Sequence, residues 1–331
     1  MPLDHRHQHT PSPAARGIVD LAPGQESFRD AVLKGLSLPQ KAISPKFLYD
    51  ARGAELFERI CEQPEYYPTR TEMALLREKS PEMARLIGPS AHLVEYGSGA
   101  GEKIEMLLAA LENPEAYVAV DISREQLMEA TARLATRHPD LAVTGICADY
   151  NSPLPLPDAP NGRRVGFFPG STIGNFTPQD AAAFLRAASR SLQGGGMLIG
   201  VDRKKDKAVL DAAYNDAAGV TEAFIMNLLA RMNRELDADF DPDRFRYVAF
   251  YNEAEGRIEI YIESLHDQTV AVAGHRFRFR TGERLHSEYS YKYDIAQFQA
   301  LARAAGFRPQ AWWTDASDLF SIHYLAAPPR H

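Results

Sequence analysis

Residues 94–103 read VEYGSGAGEK, three glycines at alternate positions behind a run of β-forming residues and ahead of a helical pattern. A glycine turn at a strand end lets backbone come close to a ligand, and in open α/β sheets that is where ligands bind. The next two apolar runs, YVAVD and VTGICAD, end on Asp121 and Asp149, and Asp149 is followed by Tyr150. One strand-end carboxylate can accept both hydroxyls of a ribose; the other can accept an adenine amine while the adjacent ring packs beside it. Taken singly, Asp121 could merely cap the following helix and Asp149 solvate a loop.

Spacing separates two cofactor classes. A dinucleotide fingerprint GxGxxG starting at Gly97 needs glycine at 102, where the chain has Glu102, a charge unsuited to a pyrophosphate. The methionine part of S-adenosylmethionine carries no phosphate, so GxGxG suffices. A methyltransferase is therefore expected, with an NAD-dependent oxidoreductase as the alternative in another class.

A second constellation lies far along the chain in LHSEYSYK. Glu288 and Ser290 are two apart on an expected strand, so they share one face while Tyr289 and Tyr291 share the other. One polar face could read one small polar ring. The plainer alternative is a solvent-facing strand edge.

These residues need elements to hold them. From residue 92 onward HLVEY, YVAVD, VTGICAD, VGFFPG and GMLIGVD alternate for the most part with helical stretches, the pattern of a mainly parallel sheet covered on both faces. Thr177, Pro178 and Asp180 form a helix start, and Gly194 to Gly196 a stop. Upstream, residues 24–77 read as short amphipathic helices broken at the Pro-bounded EYYPTR. After Asp202 a helical stretch to about 236 gives way to FRYVAFYN, RIEIYIESL, TVAVAGHRFRFR and RLHSEYSYKYD, four successive strands that a βαβ array does not produce. They are expected to form an antiparallel insertion. The helix IAQFQALARAAGF and two strands, QAWWTD and LFSIHYLAA, return to the core.

A length of 331 residues suggests two domains, and the acidic balance of −7 opposes general affinity for nucleic acid. No run is long and apolar enough to span a bilayer, and the start MPLDHRHQHTPSPAARG lacks the apolar core of a secretory signal. Cys61 and Cys147 are the only cysteines, far apart, which suits a reducing, cytoplasmic setting and gives no disulfide or zinc framework. His5, His7 and His9 alternate in a tail read as solvated, and no metal is expected.

The motifs FLYDARGAELFERI, PEYYPTRTE, VEYGSGAGEK, FFPGSTIGNFTP, YNDAAGVTEAF and AWWTD, in this order, resemble the bacterial L-histidine Nα-methyltransferases of ergothioneine biosynthesis. The resemblance spans residues 38–325 and implies an α/β fold: a Rossmann-like class I methyltransferase core with a second α+β substrate lobe made from the N-terminal segment and the insertion. The expected boundaries are a disordered tail at 1–16, the substrate lobe at 17–71 and 203–293, and the core at 72–202 and 294–331. By motif, the resemblance assigns Tyr49, Gly97, Lys103, Asp121, Asp149 and Tyr150 to S-adenosylmethionine. It assigns Tyr66, Gly170, Asn175, Tyr214, Ile260, Glu288 and Ser290 to L-histidine, with Tyr49 and Gly170 orienting the reacting amine. Where the family often has methionine after RIE, this chain has Ile260, a stiffer side chain that alters one wall. A monomer with no nucleic-acid or membrane partner is expected, and the same methylation of another aromatic amino acid such as tryptophan is the nearest rival.

Overall fold

A computed structural model describes residues 17–21, 27–99, 101–150, 154–159 and 162–329; the expected tail at 1–16, with His5, His7 and His9, lies outside them. The chain begins with strand β1 (Ile18–Asp20) and helices α1 (Phe28–Leu36), α2 (Ala51–Cys61) and α3 (Tyr67–Ile87), a 3-10 turn at Pro45–Leu48 separating the first two helices. Then come β2 (His92–Tyr96), α4 (Glu102–Ala110), β3 (Ala116–Asp121), α5 (Arg124–Arg137), β4 (Ala142–Cys147) and β5 (Arg164–Phe168). A 3-10 turn at Thr172–Asn175 leads to α6 (Pro178–Ser191) and β6 (Gly196–Asp202). Helices α7 (Lys207–Ala213) and α8 (Val220–Leu236) precede β7 (Phe245–Asn252), β8 (Arg257–Ser264), β9 (Gln268–Val272), β10 (His275–Phe279) and β11 (Arg284–Tyr291). Helix α9 (Ile295–Ala304), β12 (Arg308–Thr314) and β13 (Phe320–Ala326) close the fold.

Eight strands form one sheet in the order β1-β4-β3-β2-β5-β6-β13-β12, parallel from β1 through β6 and antiparallel from β6 onward. The inner strands are almost wholly buried, as their unbroken apolar runs require. Helices α3, α4 and α5 contribute to one apolar cluster against the sheet and α6 and α9 to another. The start signal at residue 177 holds: the Thr177 hydroxyl accepts the Asp180 N–H, with Pro178 in the first turn.

A third cluster joins α1, α2, Leu48 and Tyr67 to α7, α8 and the strands β7 to β11. Its sheets are antiparallel, β11-β8-β7 and β10-β9. The N-terminal segment and the insertion thus share one core.

Three details differ from expectation. Residues 18–20, grouped with the lobe, instead pair with β4 as the edge strand of the eight-stranded sheet: Ile18 sits opposite Gly145. TVAVAGHRFRFR is two strands, because Ala273 and Gly274 take positive φ and fold it into a hairpin. The break expected at EYYPTR is present, residues 62–66 separating α2 from α3, but the helix that starts inside the motif is longer than expected: Pro68 occupies its first turn, where its missing N–H is harmless, and it runs on through Pro81 to Ile87. Among the described residues no helix is long and apolar enough to cross a membrane.

Helix α3 packs Leu75, Leu76, Met83 and Ile87 against the sheet. Leu76 is fully buried, so Leu76→Ala should cost about 2–5 kcal/mol in urea unfolding; a cost below about 1 kcal/mol would mean that α3 is not seated as described.

Candidate active site

The parallel strands put their C-terminal ends on one side, and β2 lies where the order reverses, between β3 and β5. Beyond β2 the turn uses Gly97 (φ +78°), Gly99 (φ +42°) and Gly101 (φ +77°), left-handed conformations that suit glycine. A methyl group on Gly97 or Gly99 would meet nothing within 4 Å, so open space borders the turn. Asp121 ends β3 with its carboxylate turned to backbone N–H groups: Oδ2 accepts the Ser98 N–H at 3.1 Å and Oδ1 the Ser123 N–H at 3.0 Å, and the Ile122 and Gly99 N–H groups also act on it. Burial raises its pKa against these bonds.

Past β4, Asp149 faces Lys46 at 4.0 Å, and the half-buried Tyr150 ring lies among Tyr96, Phe168, Phe176 and Phe184 at centroid distances of 5.6 to 6.4 Å. An apolar wall therefore stands beside an acid, as an adenine needs.

Beside the glycine turn, Lys103 reaches Glu72 at 2.6 Å, and both Glu72 oxygens accept the Gly170 N–H, at 3.0 and 2.8 Å. Glu72 comes from α3 and was not among the expected site residues. Its signal was a carboxylate on the buried helix face that carries Leu75 and Leu76 three and four residues on. Glycine at 200 makes room for it, since a Cβ there would lie 2.1 Å from Glu72 Oε1. With its N–H taken, Gly170 has only its carbonyl left for a ligand. Burial also pushes Glu95 up to about 8, opposed by the Tyr117 hydroxyl, which donates to it, and by Lys103. Glu95 also lies in the field of Asp121 and Glu72.

The lobe supplies the facing walls. Tyr49 packs edge-on against Phe57 at 5.5 Å and Phe224 at 5.3 Å, and Tyr66 against Tyr214 at 6.1 Å. Burial first, then the charge of Glu288, holds the Tyr49 phenol well above its ordinary range, so it stays a neutral donor. Tyr66 is raised likewise by burial and by Tyr214.

Opposite them, Glu288 and Ser290 share a face of β11, directly across from Ile260 and Ile258 of β8, which confirms the alternation expected from the sequence. Both are buried rather than on a solvent-facing edge. Glu288 makes no side-chain hydrogen bond to any other described residue, and burial raises its carboxyl to about 7, opposed by Lys292. Ser290 and Tyr214 lie 2.9 Å apart, and Lys292 donates to both at 2.8 Å. The same ammonium pairs with Asp202 at 2.7 Å; Asp202 also accepts from Lys205 at 2.6 Å and from the Tyr67 hydroxyl at 2.8 and 2.9 Å. Asp202, Lys205, Lys292 and Tyr67 were not expected here. Lys292 was visible as the third member of the i, i+2, i+4 series Glu288, Ser290, Lys292.

Asn175 ends the 3-10 turn packed on β11, and its amide makes no bond to another described residue. The turn comes so close that a Cβ at Gly174 would lie 2.7 Å from the Tyr291 carbonyl. No group of three or more His, Cys, Asp or Glu able to hold a metal occurs among the described residues.

A doubly wound sheet with this strand order, a GxGxG turn after β2 and acids at the ends of β3 and β4 make the fold that of a class I S-adenosylmethionine-dependent methyltransferase. Residues 28–327 match the family model of histidine-specific, S-adenosylmethionine-dependent methyltransferases, and the chain belongs to that family. It is 41% identical over 304 residues to the histidine N-alpha-methyltransferase of Mycolicibacterium smegmatis, covering 90% of this chain and 94% of that one. To the enzyme of the same name from Mycobacterium tuberculosis it is 38% identical over 310 residues, with 92% and 96% covered. To ergothioneine biosynthesis protein 1 of Neurospora crassa it is 34% identical over 289 residues, 84% of this chain but 32% of that longer protein.

A buried carboxyl raised to about 7 from 4.5 adds stability that is full below about pH 4.5 and lost as pH rises through about 7. Glu288→Gln should therefore raise the melting midpoint of the ligand-free protein at pH 8, by an amount that shrinks toward pH 5, in scanning fluorimetry. A midpoint at pH 8 equal to or below that of the wild type would show Glu288 to be solvated or paired.

Proposed function

We propose that the enzyme transfers methyl groups from S-adenosylmethionine to the α-amine of L-histidine, giving Nα,Nα,Nα-trimethylhistidine (hercynine) for ergothioneine biosynthesis. The observation that carries this reading is Glu288, a buried carboxylate with no partner among the described residues, on the same strand face as Ser290. Burying an unpaired charge is costly unless a ligand completes it, and an imidazole N–H does so. An indole side chain would leave the Ser290 face without an acceptor, which weighs against tryptophan; Ile260, paired with Glu288, is an apolar wall residue that would suit it.

In this reading Asp121 takes the ribose hydroxyls, Asp149 and Tyr150 the adenine, and Gly97 with Lys103 the amino-acid end of the cofactor. When bound, S-adenosylmethionine supplies the electrophilic methyl carbon. The protein needs no covalent intermediate and contributes by position. Asn175 offers its free amide to the substrate carboxylate, while Tyr66 and Tyr214 close the pocket between the two ends. Holding both ends of the amino acid can contribute on the order of 7–11 kcal/mol through geometry. The Gly170 carbonyl and the Tyr49 hydroxyl orient the amine. Because burial keeps Tyr49 protonated, it directs the nitrogen rather than deprotonating it. Tyrosine faces around the growing cation add about 0.5–2 kcal/mol. The proposal includes a monomer acting in the cytoplasm without nucleic-acid or membrane partners; the net charge of −7 supports the exclusion of nucleic acid.

Mass spectrometry of a twenty-amino-acid pool incubated with enzyme and S-adenosylmethionine should show trimethylated histidine alone. Methylated tryptophan without methylated histidine would overturn the substrate. Glu288→Ala should lose most histidine turnover while binding S-adenosylhomocysteine normally in calorimetry; Asp121→Ala should instead weaken the cofactor by about tenfold or more.

A further inference from the structure

Tyr214, Ser290 and Lys292 form a buried triangle of polar atoms, with sides of 2.8, 2.8 and 2.9 Å. A hydrogen-bond count restricts what it can offer a ligand. The Lys292 ammonium has three protons and three partners: Asp202 Oδ2 at 2.7 Å, Tyr214 Oη and Ser290 Oγ. Two sides of the triangle are thus filled by lysine protons. The third side, between the hydroxyls, holds one proton, and a phenol is a stronger donor than an aliphatic alcohol while the alcohol is the better acceptor. Tyr214 therefore donates to Ser290, whose two lone pairs are then both used. The Ser290 proton is left over and finds no acceptor among the described residues. Glu288, two residues away on the same strand face, is about 7 Å along the strand. That spacing accommodates a five-membered ring between them, with one nitrogen turned to each side chain.

We propose that Lys292 is a positioning residue that makes Ser290 a hydrogen-bond donor, so that the site accepts a neutral imidazole in one tautomer, with its bare nitrogen on Ser290 and its N–H on Glu288. This rests on histidine being the substrate. It goes further by assigning the polarity of each ring contact and by placing its cause in a residue that does not itself touch the ring. In the ligand-free triangle the Tyr214 proton goes to Ser290 and the Ser290 proton is the one left over.

The test is calorimetric binding at pH 8 with saturating S-adenosylhomocysteine, using L-histidine and the two analogues 3-(pyrrol-2-yl)alanine and 3-(pyrrol-3-yl)alanine. Each analogue keeps one ring N–H and lacks the bare nitrogen. Wild type should prefer histidine over both by about ten- to a hundredfold. Ser290→Ala and Lys292→Met should each weaken histidine by about tenfold yet leave the pyrroles within about threefold, and the double variant should be no weaker than Lys292→Met alone. Tyr214→Phe, which leaves lysine and serine in contact, should keep the preference and carries the test should Lys292→Met fail to fold. Pyrroles binding wild type as well as histidine does, loss of the preference in Tyr214→Phe, or a Lys292→Met loss equal for all three ligands would overturn the polarity while leaving histidine as substrate. Failure of wild type to bind histidine at all would remove the substrate reading and this proposal together.

Discussion

Asp202 is the interaction on which the rest depends. It ends β6 in the core, is wholly inaccessible, and takes an ammonium from each side: Lys205 just beyond the strand and Lys292 just beyond β11 of the lobe. Tyr67, at the start of α3, donates to the same carboxylate. Core sheet, lobe sheet and the first turn of the longest N-terminal helix thus meet at one charge. The two lysines keep the carboxyl ionised against its burial, while Lys205 itself is pushed down to about 8. A buried ion cluster of this kind is weak evidence for stability, because desolvation offsets most of the attraction. Its value here is geometric: it fixes β11, and with it Glu288 and Ser290, relative to the strand ends that form the cofactor side.

A second carboxylate does similar work on the other side of the cleft. Glu72 ties Lys103 on α4 to the backbone after β5, and Gly200 on β6 leaves the space that it needs. Asp202, Glu72 and Glu95 are buried acids with hydrogen-bond partners in the protein, whereas buried Glu288 has no side-chain hydrogen-bond partner among the described residues. Burial raises the Glu288 carboxyl to about 7, so its ionisation above neutral pH opposes the fold.

Much of the architecture was legible in the chain. Apolar runs ending in glycine or aspartate placed β2, β3, β4 and β6, the Thr177 signal placed α6, and period-two alternation put Glu288 and Ser290 on one face. What escaped had physical reasons. The three-residue β1 carries too little pattern to read, and only its partner β4 makes it a strand. The β9–β10 hairpin turns on the positive φ of Ala273, which composition does not announce. Glu72 and Lys292 were visible as polar residues at core-facing spacings, but a single charge on an apolar face is read as an exception until a partner is known.

By itself, the order of residues determined local matters: which segments are strands or helices, which side chains share a face, and that a phosphate-free glycine turn precedes strand-end acids. These follow from covalent geometry and periods of 2 and 3.6 residues, which act over a few residues. Only the tertiary structure decided which charges are paired. Asp202 meets Lys292 across 90 residues of chain and Glu72 meets Gly170 across 98, and no local rule reports the burial that makes those pairings obligatory and leaves Glu288 without a hydrogen-bond partner among the described residues.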